Sequence, residues 1–377
     1  MGSGENKRGY HTSLPGDQSD SLVLEMHTPV HDDRPVCITG NFNDWAIDAD
    51  RFQMTRIGPG QFQFRFSEKQ LPAFPLEYKY VKGNWDDEEV DPYGIVPPNR
   101  RLEAPEAVTI DEVPRWKFKG LAYQPAFLPL IQVISEHFEI PQLIKTRRIT
   151  ALLPHNYHVS GKKYPVLYLQ DGQNLFDDYA PFGNWAVDKK LAVMAEKGMG
   201  DIIIVSIDHA ENERIAEFTP SLQTKLGIGE GKKYVRFLAD TLKPYVDQNF
   251  RTLPDRVHTG IGGSSMGGLI SIYAGLMYPE VYGRIMVFSP SLWVAPNIPH
   301  LSLPFEDPIA ARIYIYAGGK EGSSMIPNIN RYKEALEKRG MNMAKLDFRV
   351  SIDPEGTHNE EHWGKEFPKA VEWLYFS

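Results

Sequence analysis

Through the first hundred residues, apolar positions recur at every second place and no stretch keeps a helical period. Leu22, Leu24 and Met26 alternate, and Phe62, Phe64 and Phe66 alternate with Gln61, Gln63 and Arg65. That period puts three rings on one face of a half-buried strand. Glu77-Tyr78-Lys79-Tyr80-Val81 reads as another strand, with Lys82-Gly83-Asn84 as the turn after it. Several short strands without a helix predict a small β-sandwich over residues 21–113. Residues 1–20 are polar and Gly-rich, the composition of a poorly ordered end. Residues 114–125, rich in breaks, are expected to be a linker.

The pattern changes after Phe127. Apolar runs occur at Ile149–Leu153, Val166–Leu169, Ile202–Ile207, Val257–Ile261, Ile285–Phe288 and Ile313–Ala317. Between them, Val235, Leu238, Leu242, Tyr245 and Val246 form a stripe near a period of 3.6. So do Met266, Leu269, Ile270, Tyr273, Leu276 and Met277, and likewise Ile329, Tyr332 and Leu336. Continuous apolar strands alternating with one-faced helices predict an α/β domain over 126–377, its mostly parallel sheet covered on both faces. Leu346, Phe348, Val350 and Ile352 alternate with polar residues, as a strand near the sheet edge would.

Composition narrows the classes of function. The chain has 377 residues, enough for two domains, with 42% hydrophobic and 24% charged residues and a formal charge of −8. An acidic balance argues against a nucleic-acid partner; the short basic cluster Lys145, Arg147 and Arg148 reads as solvated surface. The single cysteine, Cys37, sits in the run Val36-Cys37-Ile38 as an inert strand residue and can form no disulfide within the chain. No run of 18 apolar residues predicts a membrane span. Low cysteine usage and the polar start slightly favour the cytoplasm, although a removed leader would leave no trace. The residues do not indicate an oligomeric state.

The candidate chemistry lies in Gly263-Ser264-Ser265-Met266-Gly267, a G-x-S-x-G sequence between a predicted strand and a predicted helix. Small residues there let strand and helix backbones approach, leaving the central hydroxyl exposed on a sharp turn. As an isolated pentapeptide it could equally be a structural turn; its strand–turn–helix setting makes Ser265 the candidate nucleophile. A serine hydroxyl needs a base within hydrogen-bond reach. On this fold the order is nucleophile, acid, histidine. His300 precedes the acid candidates. His358, in Gly356-Thr357-His358-Asn359, is the preferred base and His362 the second choice. Glu321, in a loop after the strand Ile313–Ala317, is the first candidate for the acid, and Asp353 the second; Glu355 is read as surface. The oxyanion hole is assigned to the backbone N–H groups of Met266 and Gln173, the latter in the turn Asp171-Gly172-Gln173-Asn174 after Val166–Gln170. Asp171 or Asn174 could instead fix that turn.

Asp171, Trp185, His209, Arg214 and Trp293 are candidate cleft residues, an Arg214–Glu217 ion pair being the plain alternative for the fourth. His358 and His362 are four apart, but His358-Asn359-Glu360-Glu361-His362 lacks the glutamate of H-E-x-x-H, so no metal site is assigned. Gly227, Gly229 and Gly231 do not make a phosphate loop. The expected reaction needs no metal or organic cofactor.

From about Phe127 onward the chain resembles the esterase family that includes bacterial feruloyl and acetyl esterases, enterochelin esterase, the mycolyltransferase antigens and human esterase D. The resemblance rests on Tyr164-Pro165-Val166-Leu167-Tyr168, Asp171-Gly172-Gln173-Asn174, Ser265 in its turn, and Gly356-Thr357-His358-Asn359 before Trp363. It implies an α/β-hydrolase fold, a Ser265–His358 pair, an oxyanion role for Gln173 and an acid after Ile313–Ala317. Glu321 fills that last place where several relatives have aspartate. The substrate class it implies is an acetylated or feruloylated carbohydrate ester, with a siderophore ester as the alternative. A carbohydrate-binding protein with an inactive hydrolase domain is the reading from another class. The N-terminal part resembles the glycogen- and starch-binding modules of the early-set β-sandwich class through Ile38-Thr39-Gly40-Asn41-Phe42-Asn43-Asp44-Trp45, Glu77-Tyr78-Lys79-Tyr80 and Gly83-Asn84-Trp85. That likeness implies glucan contacts at Trp45, Lys79 and Trp85, or packing roles for the same residues.

Overall fold

Alternation in the first hundred residues does produce strands. The computed structural model describes residues 22–30, 32–67, 71–106, 108–180, 182–298, 311–338 and 346–377. Residues 1–20 and His300, named above, lie outside the described residues. The chain forms two units: one comprises the described residues up to Pro92 with Val96–Leu121, the other Tyr93–Ile95 with Ala122–Ser377.

The first unit has strands β1 (Val23–His27), β2 (Cys37–Gly40), β3 (Thr55–Gly58), β4 (Gln61–Arg65), β5 (Leu76–Val81), β6 (Glu89–Val90), β7 (Arg100–Leu102), β8 (Val108–Glu112) and β9 (Arg115–Trp116). They pair as β3-β4-β1-β8, β2-β5-β7 and β6-β9. The two larger sheets share one core, with Leu24, Met26 and Phe62 from one and Ile38, Tyr78 and Tyr80 from the other. The three phenylalanines face inward as their period requires, Phe62 and Phe66 buried and Phe64 edge-on to Phe66 at 4.9 Å. Cys37 is buried on β2. The segment after Val113 is more than a linker. Arg115–Trp116 pairs with Glu89–Val90, and the buried Trp116 indole donates to Thr28 Oγ1 at 3.1 Å.

The second unit is built on strands β10 (Leu130–Ile140), β11 (Lys145–Leu153), β12 (Val166–Gln170), β13 (Ile203–Ile207), β14 (Thr259–Ser264), β15 (Arg284–Phe288), β16 (Ala311–Gly318) and β17 (Leu346–Asp353). Their order is β10-β11-β13-β12-β14-β15-β16-β17. β12 to β17 run parallel, whereas β11 is antiparallel to both its neighbours. The central strands are buried on both faces, which is why they are apolar without alternation, and β17 at the edge alternates. Residues from Gly231–Phe237 onward to Val246, with helices Met266–Met277 and Met325–Lys338, bury their stripes against one face. Val187–Glu196 and Glu360–Val371 cover the other. This is an α/β-hydrolase fold with a smaller β-rich N-terminal unit.

One expected surface feature is internal. Arg147 on β11 is buried and its Nη2 donates to both carboxylate oxygens of Glu217, at 2.9 and 2.8 Å, with Lys145 Nζ at 3.2 Å. An inward position on β11 forces the guanidinium into the interior, where a buried carboxylate must meet it. Of the basic cluster only Arg148 behaves as surface, pairing with Glu136. Glu217 is therefore committed to Arg147 and leaves Arg214 to another partner.

Candidate active site

Strand β14 ends at Ser264 and the helix Met266–Met277 begins two residues later, so Ser265 alone must make the turn. Its backbone takes φ 56° and ψ −119°, a conformation non-glycine residues rarely hold. Close approach explains the glycines around it. A Cβ on Gly263 would lie 3.0 Å from the Gly267 carbonyl carbon, and one on Gly267 would lie 2.9 Å from Asp171 Oδ2. The Ser265 N–H donates to the Phe288 carbonyl at 2.9 Å, tying the turn to the end of β15.

Three side chains from three loops converge here. His358 Nε2 is 3.0 Å from Ser265 Oγ, and His358 Nδ1 is 2.7 Å from Glu321 Oε2. The Glu321 side chain is wholly buried. Burial would raise its pKa, but the bonds from His358, from Ser289 Oγ at 2.6 Å and from the Gly318 N–H at 2.6 Å outweigh it and hold the carboxyl below its ordinary value. The order of contacts is hydroxyl, imidazole, carboxylate, each within hydrogen-bond reach. The second-choice residues are occupied elsewhere. The His362 ring meets Thr357 Oγ1 at 3.1 Å while its N–H is capped by Asn359, and Asp353 Oδ1 accepts from the Glu355 N–H.

Just past the neighbouring strand β12, Asp171 opens the next turn at φ 59°. Arg214 Nε and Nη2 donate to its two oxygens at 2.6 and 2.8 Å, a bidentate pair. The Gln173 side chain donates to the His209 carbonyl at 3.1 Å and accepts from the His209 N–H at 2.9 Å. Gln173 and Met266 each stand in the first turn of a helical segment, where a backbone N–H has no intrahelical acceptor. Asn174 Nδ2 donates to Glu360 Oε1 at 3.3 Å, and burial, with the charge of Asp171, raises the Glu360 pKa. Burial lowers that of His209.

The remaining expectations divide. Trp293 is 46% exposed two residues beyond Ser291, whose Oγ is 3.3 Å from Ser265 Oγ. Trp185 is not a cleft residue; it is 2% exposed and stacks on Phe288 at 5.2 Å within the core. In the first unit, Trp85 is 39% exposed and tilted 6.4 Å from Trp45. Lys79 departs from the expected glucan contact. Its buried ammonium donates to the Pro97 carbonyl at 2.7 Å and lies 3.7 Å from Glu88, because Lys79 points into the unit from β5. Ser289 and Ser291 escaped the sequence reading. The available signal was position, since both follow the end of the strand beside β14. Among the described residues no group of three His, Cys, Asp or Glu is placed to hold a metal ion, and no helix is long and apolar enough to cross a membrane.

A mostly parallel sheet with a serine on a strained strand-to-helix turn, an imidazole beside it and a buried carboxylate behind defines a serine-hydrolase-like α/β-hydrolase. The chain belongs to the Esterase family, whose model matches residues 141–374. It is similar to the uncharacterised protein YbbA of Bacillus subtilis, 27% identical over 242 residues that make 61% of this chain and 92% of that protein. It is also similar to the endo-1,4-beta-xylanase/feruloyl esterase of Xylanibacter ruminicola, 28% identical over 61% of this chain but only 30% of that protein. The iron(III) salmochelin esterase of Escherichia coli is 23% identical over 67% of this chain and 60% of its own length. A crystal structure of the enterobactin esterase of Shigella flexneri in the presence of enterobactin shares the fold. It is 16% identical with a TM-score of 0.51, covering 94% of this chain and 92% of that one.

Proposed function

We propose that the protein is a serine carboxylic ester hydrolase working through an acyl-enzyme, with Ser265, His358 and Glu321 as its catalytic residues. The observation that carries this reading is the unbroken contact from Ser265 Oγ through His358 to Glu321. Ser265 Oγ attacks the ester carbonyl carbon as His358 Nε2 takes its proton. The N–H groups of Met266 and Gln173 receive the developing oxyanion. Collapse expels the alcohol, protonated by His358, and leaves the acyl group on Ser265. Water, deprotonated by His358, then attacks the acyl carbon and releases the acid and the free serine. Glu321 keeps Nδ1–H oriented and stabilises the imidazolium.

For the substrate, a siderophore ester is the favoured reading, supported by the relative named for salmochelin. An acetylated or feruloylated carbohydrate ester is the second, supported by the relative named as a feruloyl esterase and by the exposed Trp85 beside the half-buried Trp45, flat rings of a kind that suits sugar faces. A fluorophosphonate should label the protein at Ser265, located by mass mapping, and Ser265→Ala should abolish both labelling and burst-phase acylation. Full turnover by Ser265→Ala would reject the mechanism. Parallel assays with enterobactin-type triesters, feruloylated sugars and acetylated sugars decide the substrate class.

A further inference from the structure

Strand β15 hands the chain to Ser289-Pro290-Ser291 beside the nucleophile turn. We propose that Ser289 is a positioning residue of this site: its hydroxyl locks the Glu321 carboxylate, and through it the His358 ring, in the orientation the nucleophile requires. The proposal rests on the ester-hydrolase reading.

Ser289 is fully buried, and its hydroxyl has two neighbours of opposite character. The Trp363 indole N–H donates to Ser289 Oγ at 2.9 Å, and Ser289 Oγ donates to Glu321 Oε1 at 2.6 Å. An indole nitrogen can only donate, so it occupies a lone pair of the hydroxyl oxygen and turns the single O–H toward the carboxylate. Oε1 then receives two donors, Ser289 and the Gly318 N–H, and Oε2 is left for His358. Trp363 also meets the His358 ring edge-on at 4.9 Å, so one indole touches both Ser289 and His358. The backbone adds an independent sign. Ser289 sits at φ 46°, where glycine would be accommodated more easily than serine. A residue needed only for the turn would have no use for the hydroxyl.

The groups that face Glu321 are few. They are His358 from the loop before the last helix and the Tyr316 phenol from β16, which the charges of Asp353 and Glu366 also reach; Lys320 beside Glu321 is paired with Glu355. Of these only His358 donates to the carboxylate, so the Ser289 bond has no charged substitute.

The test compares wild type, Ser289→Gly, Ser289→Ala and Ser265→Ala on p-nitrophenyl acetate from pH 4.5 to 9, alongside melting curves. Ser289→Gly relieves the backbone and removes the hydroxymethyl group, whereas Ser289→Ala removes the hydroxyl alone. Ser289→Gly should lower kcat about tenfold with KM changed less than about twofold. The acid limb of kcat/KM, set by protonation of His358, should move to higher pH by up to about 1, because a carboxylate that loses a charge-assisted donor holds the imidazolium more strongly. Ser289→Ala should show the same displaced limb with a lower Tm, and serves if the glycine variant does not fold. A wild-type kcat and acid limb in Ser289→Gly would overturn the positioning role, as would a loss of Tm with the limb in place. An inactive Ser265→Ala beside a normal Ser289→Gly defeats this proposal alone; a fully active Ser265→Ala defeats the ester-hydrolase reading and this one with it.

Discussion

The turns after β14 and β12 each carry a non-glycine residue at positive φ, Ser265 at 56° and Asp171 at 59°, and different forces hold them. The Ser265 turn is held by proximity. Gly263 and Gly267 let the strand and helix close on each other, and the turn's own N–H reaches the adjacent strand end. The Asp171 turn is held by partners far along the chain. Arg214 grips its carboxylate with two bonds, and the Gln173 side chain brackets the His209 backbone with two more. A short steric device and a long-range electrostatic one thus place the two halves of a single site.

The largest effect should follow from disturbing what stands behind the Ser265 turn. Glu321→Gln keeps the shape but removes the charge that orients the His358 tautomer, and should lower kcat by about a thousandfold or more. Asp353→Asn should stay within about threefold, because its carboxylate accepts from the Glu355 N–H rather than from His358. Initial rates on a nitrophenyl ester measure both, and a near-normal Glu321→Gln enzyme would remove Glu321 from the site.

A smaller loss is expected at the other turn. Asp171→Asn leaves the Arg214 guanidinium without its charged partner and frees the loop that carries the Gln173 N–H. An oxyanion donor out of place costs about 10²–10³-fold in kcat when lost outright; a loosened one should cost about 10- to 100-fold, with KM little changed. Fluorophosphonate labelling of Ser265 should persist in that variant. Unchanged kcat would show that the Asp171–Arg214 pair serves stability alone.

These two turns also mark how far the residues by themselves could be read. Gly263-Ser264-Ser265-Met266-Gly267 advertises its geometry because the constraint is local, and the parallel strands advertise theirs because burial on both faces leaves no alternation. Glu321 could be placed only by its position after β16. The Arg214–Asp171 and Arg147–Glu217 pairs span 43 and 70 residues, and nothing in the identity of an arginine says which carboxylate it will meet. β10 was missed for a different reason. Register shifts between Val133 and Ser135 and between Ser135 and Phe138 break the period of two along Leu130–Ile140. From sequence alone, Lys79 stands between glucan contact and packing, and Trp185 falls in the cleft, because a lysine on an inward strand position and a tryptophan near a loop look the same in sequence whether they face a ligand or the core.

The smallest effect on turnover, and the clearest in pH, belongs to Asp208 beneath the Asp171 turn. A Cβ on Gly172 would stand 2.5 Å from Asp208 Oδ1, so this carboxyl lies directly against the loop. Burial raises its pKa from 3.8 to about 6, against the pull of Arg148 and Arg147. A raised carboxyl pKa means that the fold favours the protonated form. Its contribution is fully present below the unfolded value and is lost as pH rises through about 6; above that the fold holds a charge it would rather not bury. Asp208→Asn should therefore raise Tm at pH 8, by an amount corresponding to about 1–3 kcal/mol, and bring no gain near pH 4, where the native carboxyl is already neutral. Because the substitution keeps the side chain's shape beneath Gly172, kcat at pH 8 should change by less than about twofold. A Tm gain of equal size at both pH values would mean that shape and not charge is responsible. A loss of Tm at pH 8 would mean that the arginines on β11 outweigh burial and that the ionised carboxylate is part of what holds the Asp171 turn in place.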